Sequence, residues 1–218
     1  MQKRSFDGFI FDLDGTLVDF GMPNHEQHFV FKWAKHLGYD EKKALFISQQ
    51  ADRNERIKAL GVSEEKYVNE LLPIYARVDL SLRKELLNNG SLTLKKGALE
   101  LLSALKQPKA LVSHAPGESV KATIEHLGLE KFFDFVFFRD YSAPQSKELR
   151  KPNPQLAFLA CEKMNVRPSS KIAIVGDGSR DVKMAKNAGM TSVVVYSKVE
   201  GADYYFDDLL QFKKWLGL

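Results

Sequence analysis

The stretch FIFDLDGTLVD, residues 9–19, places three aspartates directly behind a short apolar run. Phe9, Ile10 and Phe11 carry apolar side chains to both faces, the pattern of a strand covered on two sides. Gly15 is an ordinary residue for the turn that ends such a strand. Asp12 and Asp14 call for another reason, because two carboxylates beside a buried strand repel unless a cation compensates them. Ligands of open α/β sheets sit beyond the carboxyl ends of the strands, which is where this pair falls.

Similar runs recur at KALVSH (109–114), FDFVFF (133–138), KIAIVGD (171–177) and TSVVVY (191–196), with helix-like stretches between them. In NPQLAFLACEKM, Leu156, Leu159, Ala160 and Lys163 keep helical spacing, and Pro152 and Pro154 stand near the start, where a missing N–H costs little. Buried strands alternating with helices predict an α/β fold, a Rossmann-like doubly wound parallel sheet. Residues 18–91 break that rhythm. EQHFVFKWAKHLG (26–38), DEKKALFISQQADRNERIKALG (40–61) and SEEKYVNELLPIYARVDLSLRKELLNNG (63–90) read as three amphipathic helices, with Gly, Asp and Ser at their ends. The expected organisation is an α/β core formed by residues 1–17 and 92–218, with a helical insert at 18–91.

At 218 residues, 44% hydrophobic and 28% charged, the chain has an ordinary globular composition. The net charge of +4 favours anionic ligands, but no dense Lys/Arg stripe interleaved with aromatics marks a nucleic-acid partner. Cys161 is the single cysteine, which excludes a disulfide framework and fits a reducing cytoplasm. The run after Lys3 and Arg4 is broken by Asp7, unlike a secretory leader, and no apolar span suits a membrane.

Asp177 and Asp181 in VGDGSRD (175–181) end a second strand as Asp12 and Asp14 end the first. If the two strands are neighbours, the carboxylates converge, and all-oxygen ligands select a hard cation such as Mg²⁺. Ser113 in LVSHAP and Lys151 in RKPNP lie past other strands, suited to hold an anionic oxygen. Lys147 and Arg150 are rivals to Lys151, which alone stands directly before Pro-Asn-Pro. His25, His28 and His36 lack metal-ligand spacing and read as packing or surface residues.

DLDGT, LVSH, KPNP and GDGSRD, in this order and spacing, resemble the haloacid dehalogenase superfamily. The likeness is to its phosphatases with a helical cap after the first motif, of the phosphoglycolate phosphatase and β-phosphoglucomutase type. That resemblance implies a Mg²⁺-dependent phosphomonoesterase acting on a small phosphorylated metabolite. It assigns Asp12 as nucleophile forming an aspartyl phosphate, Asp14 as general acid and base, and Ser113 and Lys151 as the phosphoryl clamp. Mg²⁺ would be held by Asp12, the Asp14 carbonyl and Asp177, with Asp181 supporting. Gly15, Thr16 and His114 line the substrate position, and Arg53 and Arg56 of the cap are candidates for an anionic leaving group. His114 departs from the Asn common in such phosphatases. A phosphomutase, a phosphoacceptor switch and a non-catalytic phospho-ligand binder are the alternatives. The partner is a small molecule rather than nucleic acid or membrane, and the assembly is a monomer or homodimer.

Overall fold

The computed structural model describes residues 5–50, 52–141 and 149–218. Lys147, the rival to Lys151, lies outside the described residues. Strand β1 (Gly8–Phe11) and a short β2 (Val18–Asp19) lead into five helices: α1 (His25–His36), α2 (Glu41–Ser48), α3 (Arg53–Leu60), α4 (Glu64–Lys66) and α5 (Leu72–Asn88). A π-helical turn at Tyr67–Leu71 joins the last two. The chain returns through β3 (Thr93–Leu94), α6 (Ala98–Ala104), β4 (Lys109–Pro116), α7 (Gly117–His126) and β5 (Phe135–Arg139). It ends with α8 (Gln155–Lys163), β6 (Ile172–Gly176), α9 (Ser179–Asn187), β7 (Thr191–Val195), β8 (Tyr204–Phe206) and α10 (Leu209–Leu216).

Six strands pair in the order β5-β4-β1-β6-β7-β8, every pairing parallel. The α/β doubly wound sheet expected from the sequence is therefore present, with β1 and β6 adjacent at its centre. Strand alternation sends successive side chains to opposite layers. Phe9, Phe11, Leu111 and Val175 pack with Leu101, Val120, Ile124 and Phe212 of α6, α7 and α10. Ile10, Ala110, Val112 and Ile174 pack on the other face with Leu156 and Ala160 of α8 and Met184 and Ala185 of α9. Each fully buried Leu, Ile or Phe here contributes roughly 1.5–3 kcal/mol, so the layers hold β1 and β6 in fixed register, Phe11 opposite Val175. β8 escaped the sequence reading because Tyr204, Tyr205 and Phe206 form only three residues on the sheet edge, none of them buried.

Antiparallel β2 and β3 form the stem through which the chain leaves and re-enters, tied by a Lys95–Asp19 ion pair of 2.9 Å. The helices beyond it build their own apolar cluster around Val30, Trp33, Ala44, Ile47, Leu60 and Leu72. The single helix expected over 40–61 is two. Asp52 caps α3 by accepting from the amides of Asn54 (2.7 Å) and Glu55 (3.2 Å), so a new helix starts where the pattern ran on. Helix α5 packs against α1 on one side and α7 on the other, bridging insert and sheet layers. Among the described residues no helix is long and apolar enough to cross a membrane.

Candidate active site

Asp12 directly follows β1 and Asp177 directly follows β6, and because these strands are hydrogen-bonded neighbours the two carboxylates meet. Asp181 joins them from the first turn of α9. One carboxylate oxygen from each of Asp12, Asp177 and Asp181 lies within 4.8 Å of the other two. Gly15 and Gly176 make the crowding possible. A Cβ on Gly15, at φ +80°, would stand 2.3 Å from Asp177 Oδ2, and one on Gly176 would stand 2.3 Å from Asp181 Cγ.

Among the described residues, Lys151 supplies the ammonium that pairs with these carboxylates. Its Nζ donates to Asp12 Oδ1 at 2.5 Å and forms an ion pair with Asp181 Oδ1 at 2.7 Å, the latter too poorly aligned for a hydrogen bond. Three carboxylates against one lysine leave a formal −2. Burial pushes Asp12 up to about 8 against the pull of Lys151, with Asp181 and Asp177 adding repulsion. Burial and Asp181 push Asp177 up to about 6. Burial pulls Lys151 down, yet Asp12 and Asp181 outweigh it and drive its affinity for the proton upward. A hard divalent cation would cancel the excess charge, and the all-oxygen donor set fits Mg²⁺.

Thr16 is wholly buried beneath this cluster. Its hydroxyl lies 3.3 Å from Asp12 Oδ2 and 3.4 Å from Asp177 Oδ1, so it orients carboxylates from below. Ser113 is buried at an irregular stretch of β4, and its Oγ accepts from the Ala115 amide at 3.1 Å, leaving its O–H free to donate. His114 braces the loop that carries Lys151: its Nε2 accepts from the Lys151 amide at 2.9 Å, which places the ring proton on Nδ1. Burial, then Lys151 and Arg139, hold His114 down to about 2, so the ring is neutral at physiological pH.

Asp14 faces elsewhere. Arg83 of α5 grips it with two parallel bonds, Nη1 to Oδ1 at 2.8 Å and Nη2 to Oδ2 at 2.5 Å, while its Nε donates to Asp79 at 2.8 Å. The guanidinium is 3% exposed, so this charge-assisted fork has little competition from water. Burial alone would raise Asp14, but Arg83 outweighs it and holds the carboxyl below its usual range. Burial raises Asp79 beyond what Arg83 takes back. The sequence reading missed Arg83 and Asp79, although a signal was present. Leu72, Asp79, Arg83 and Leu87 form one buried stripe of α5, and a charged pair at i,i+4 inside an apolar stripe seeks an ionic partner.

Apart from Thr16, which lies behind the carboxylates, these polar side chains line one cavity of about 650 Å³ between the insert and the strand ends. Arg53 and Arg56 are on its wall, Arg53 paired with Glu64 at 2.9 Å and Arg56 donating to the Gln50 carbonyl at 2.9 Å. His25, read from the sequence as packing, stacks on Phe20 and also lines the cavity. Arg139, Tyr141 and Arg150 line it too, as do Glu26, Asp52 and Arg180.

The fold and this pocket define an α/β enzyme whose acidic centre suits a divalent ion at the carboxyl ends of two neighbouring strands. Residues 6–189 match the haloacid dehalogenase-like hydrolases, and the chain belongs to that family. It is 31% identical to a phosphoglycolate phosphatase of Rhodobacter capsulatus over 191 residues, 85% of this chain and 82% of the relative. It is 30% identical to a phosphorylated carbohydrates phosphatase of Thermotoga maritima over 213 residues, 88% of this chain and 87% of the relative. The β-phosphoglucomutase of Clostridium difficile shares the fold, with a TM-score of 0.70 at 22% identity over 97% of each chain.

Proposed function

We propose that the chain is a Mg²⁺-dependent phosphomonoester hydrolase that works through an aspartyl phosphate on Asp12, with a small cytoplasmic metabolite as substrate. The observation that carries the reading is the meeting of Asp12, Asp177 and Asp181 around the ammonium of Lys151. The Asp12 and Asp177 carboxylates and the Asp14 carbonyl would hold the ion, with Asp181 beside them. When bound, Mg²⁺ supplies positive charge that keeps Asp12 ionised and offsets its repulsion from a phosphate dianion.

Asp12 attacks phosphorus, and the bond from phosphorus to the ester oxygen breaks as the Asp12–phosphorus bond forms. Lys151 and the Ser113 hydroxyl hold the phosphoryl oxygens in line. Asp14 gives a proton to the departing alkoxide, then takes one from the water that attacks the aspartyl phosphate. Free alcohol and inorganic phosphate leave, and both aspartates are restored. Arg83 bears on the first half of this cycle. A carboxylate gripped at both oxygens cannot carry a proton, so Asp14 must be released from the fork before it acts as an acid. The second half needs the same release, because Asp14 must then take a proton from water on an oxygen the fork occupies.

Phosphate release from p-nitrophenyl phosphate, measured with and without Mg²⁺ and with Asp12→Asn, tests the proposal. Metal-dependent turnover that vanishes in the variant supports it, and turnover that persists in the variant overturns the assignment of Asp12.

A further inference from the structure

The end of β7 holds a backbone conformation that its sequence does not favour. Among the described residues other than glycine, Asn24, Asn165 and Tyr196 have positive φ. Asparagine enters the left-handed region readily, because its short polar side chain bonds locally, whereas a bulky tyrosine there is an outlier. Tyr196, at φ +65°, directly follows Val195, the last residue of β7. A strained residue persists where its surroundings over-determine it, and such residues gather at functional sites. Three contacts hold this one. Its amide donates to the Phe206 carbonyl of β8 at 3.1 Å, and its hydroxyl donates to the Lys96 carbonyl at 2.9 Å. The Lys95 ammonium stands 5.0 Å from its ring centroid and pairs with Asp19 at 2.9 Å, so Tyr196 is fastened to the β2–β3 stem that carries the insert.

The consequence of the turn is seen at the next residue. Ser197 Oγ donates to the Asp177 carbonyl at 2.6 Å, while the amide of the same peptide unit, on Gly178, donates to Asp181 Oδ2 at 3.4 Å. The Asp177–Gly178 peptide is therefore held at both ends, its oxygen by Ser197 and its N–H by Asp181. Other supports of Asp177 are slight. Pairing of β6 with β7 ends at Gly176 opposite Val194, so Asp177 lies beyond the ladder, and the Thr16 hydroxyl reaches its carboxylate only at 3.4 Å, a long contact. Much of the aim of this carboxylate thus depends on the peptide that carries it.

We propose that Tyr196 and Ser197 are positioning residues for the metal-binding carboxylate. The left-handed turn at Tyr196 delivers the Ser197 hydroxyl to the Asp177 carbonyl, and so fixes the aim of the Asp177 carboxylate relative to the stem of the insert. The proposal rests on the Mg²⁺ reading of the acidic centre and adds to it two residues that touch neither ion nor substrate. Groups standing behind a metal ligand orient it and raise affinity without contacting the ion. The Ser197 bond is at the surface, so water can take the place of the hydroxyl at the carbonyl. Removing the serine therefore costs orientation rather than a buried, unsatisfied acceptor.

The test is the Mg²⁺ affinity of the full chain, measured calorimetrically, with the unfolding temperature in chelator as control. Ser197→Ala should weaken Mg²⁺ binding about three- to tenfold and leave the metal-free unfolding temperature unchanged. Ser197→Thr, which keeps the hydroxyl, should restore the affinity. Tyr196→Phe, which gives up the bond to Lys96 and keeps the ring, should weaken Mg²⁺ binding about two- to threefold. Combined with Ser197→Ala it should add little, because both changes act through one hydroxyl. Equal affinity of Ser197→Ala and the wild type overturns the proposal, as does a loss that threonine fails to restore. Wild-type affinity in Tyr196→Phe, or full additivity in the double variant, overturns the link between the strained turn and the acid. A wild type that binds no Mg²⁺ overturns the metal reading itself, so failure of that reading is distinguishable from failure of this one.

Discussion

Asp12 and Asp14 are two residues apart in sequence and live in opposite electrostatic worlds. Asp12 shares a buried cluster with Asp177, Asp181 and one lysine, and its carboxyl is pushed up to about 8. Asp14 is held by the fork of Arg83 and its carboxyl is driven down. Environments that separate two carboxylates in this way commonly assign acid and base roles. Here the directions are the reverse of what the first chemical step asks, since a nucleophile should be ionised and an acid protonated. In the proposed mechanism two events would resolve the conflict. A divalent cation would bring Asp12 down, and withdrawal of Arg83 would let Asp14 rise.

The comparison breaks most visibly at Asp12. Asp12→Asn should lower phosphate release by about 10⁴-fold or more, as loss of a nucleophile does. The same change relieves repulsion within the cluster, so metal-free protein should unfold at a higher temperature than the wild type at pH 8. Loss of activity together with lower stability would mean that Asp12 is held chiefly by Lys151, and that its neighbours matter little.

Asp14→Asn should cost about 10²–10⁴-fold on an alkyl phosphate, the usual worth of a positioned acid and base. The loss should be smaller on p-nitrophenyl phosphate, whose leaving group departs without a proton. Equal losses on both esters would show that Asp14 acts in a step other than protonation of the leaving group.

Arg83 tests the other half of the contrast. Arg83→Met removes the partner of two carboxylates and leaves Asp79, 2% exposed, with an uncompensated charge. A broken buried pair costs about 3–5 kcal/mol, measurable by urea unfolding. The double variant Arg83→Met with Asp79→Leu should recover much of that loss, because the stranded charge is gone. Failure of the second change to recover stability would place the cost in the contact with Asp14 or in the packing of the guanidinium over Phe20 and Phe29.

The sheet and the acidic centre were legible because short-range patterns determine them. Apolar runs mark β1, β4, β6 and β7, and a strand end followed by Asp and Gly has few other uses in a parallel sheet. Lys151 was legible because a lysine directly before Pro-Asn-Pro is distinctive. Arg83 and Tyr141 were not, since each owes its place to a long-range encounter, Arg83 with a carboxylate 69 positions earlier and Tyr141 with a carbonyl 27 positions earlier. Thr16 shows the same limit in miniature. Its neighbour Asp12 is four residues away, but its second contact, Asp177, is 161 away, and only the β1–β6 pairing brings that carboxylate overhead.

The smallest expected effect is the dependence of stability on pH and metal. A carboxyl whose affinity for protons is higher folded than unfolded binds more protons in the native state at intermediate pH, so stability falls as pH rises through that window. Asp12, up to about 8, and Asp177, up to about 6, both have this sign. In chelator, their contribution should decline from about pH 4 upward, through about 6 for Asp177 and about 8 for Asp12, while Asp14, held low, contributes undiminished until strongly acid pH. His114, held down to about 2, has the opposite slope to Asp12, because a histidine kept neutral in the fold resists protonation. The difference between wild type and Asp12→Asn removes that contribution and isolates the cluster. Mg²⁺ should therefore raise the unfolding temperature of the wild type by a few degrees, more at pH 8 than at pH 6, and should do less for Asp12→Asn. A metal effect equal at both pH values would leave the proton affinity of Asp12 without consequence for binding, and the charge excess at the strand ends would have to be balanced by another group.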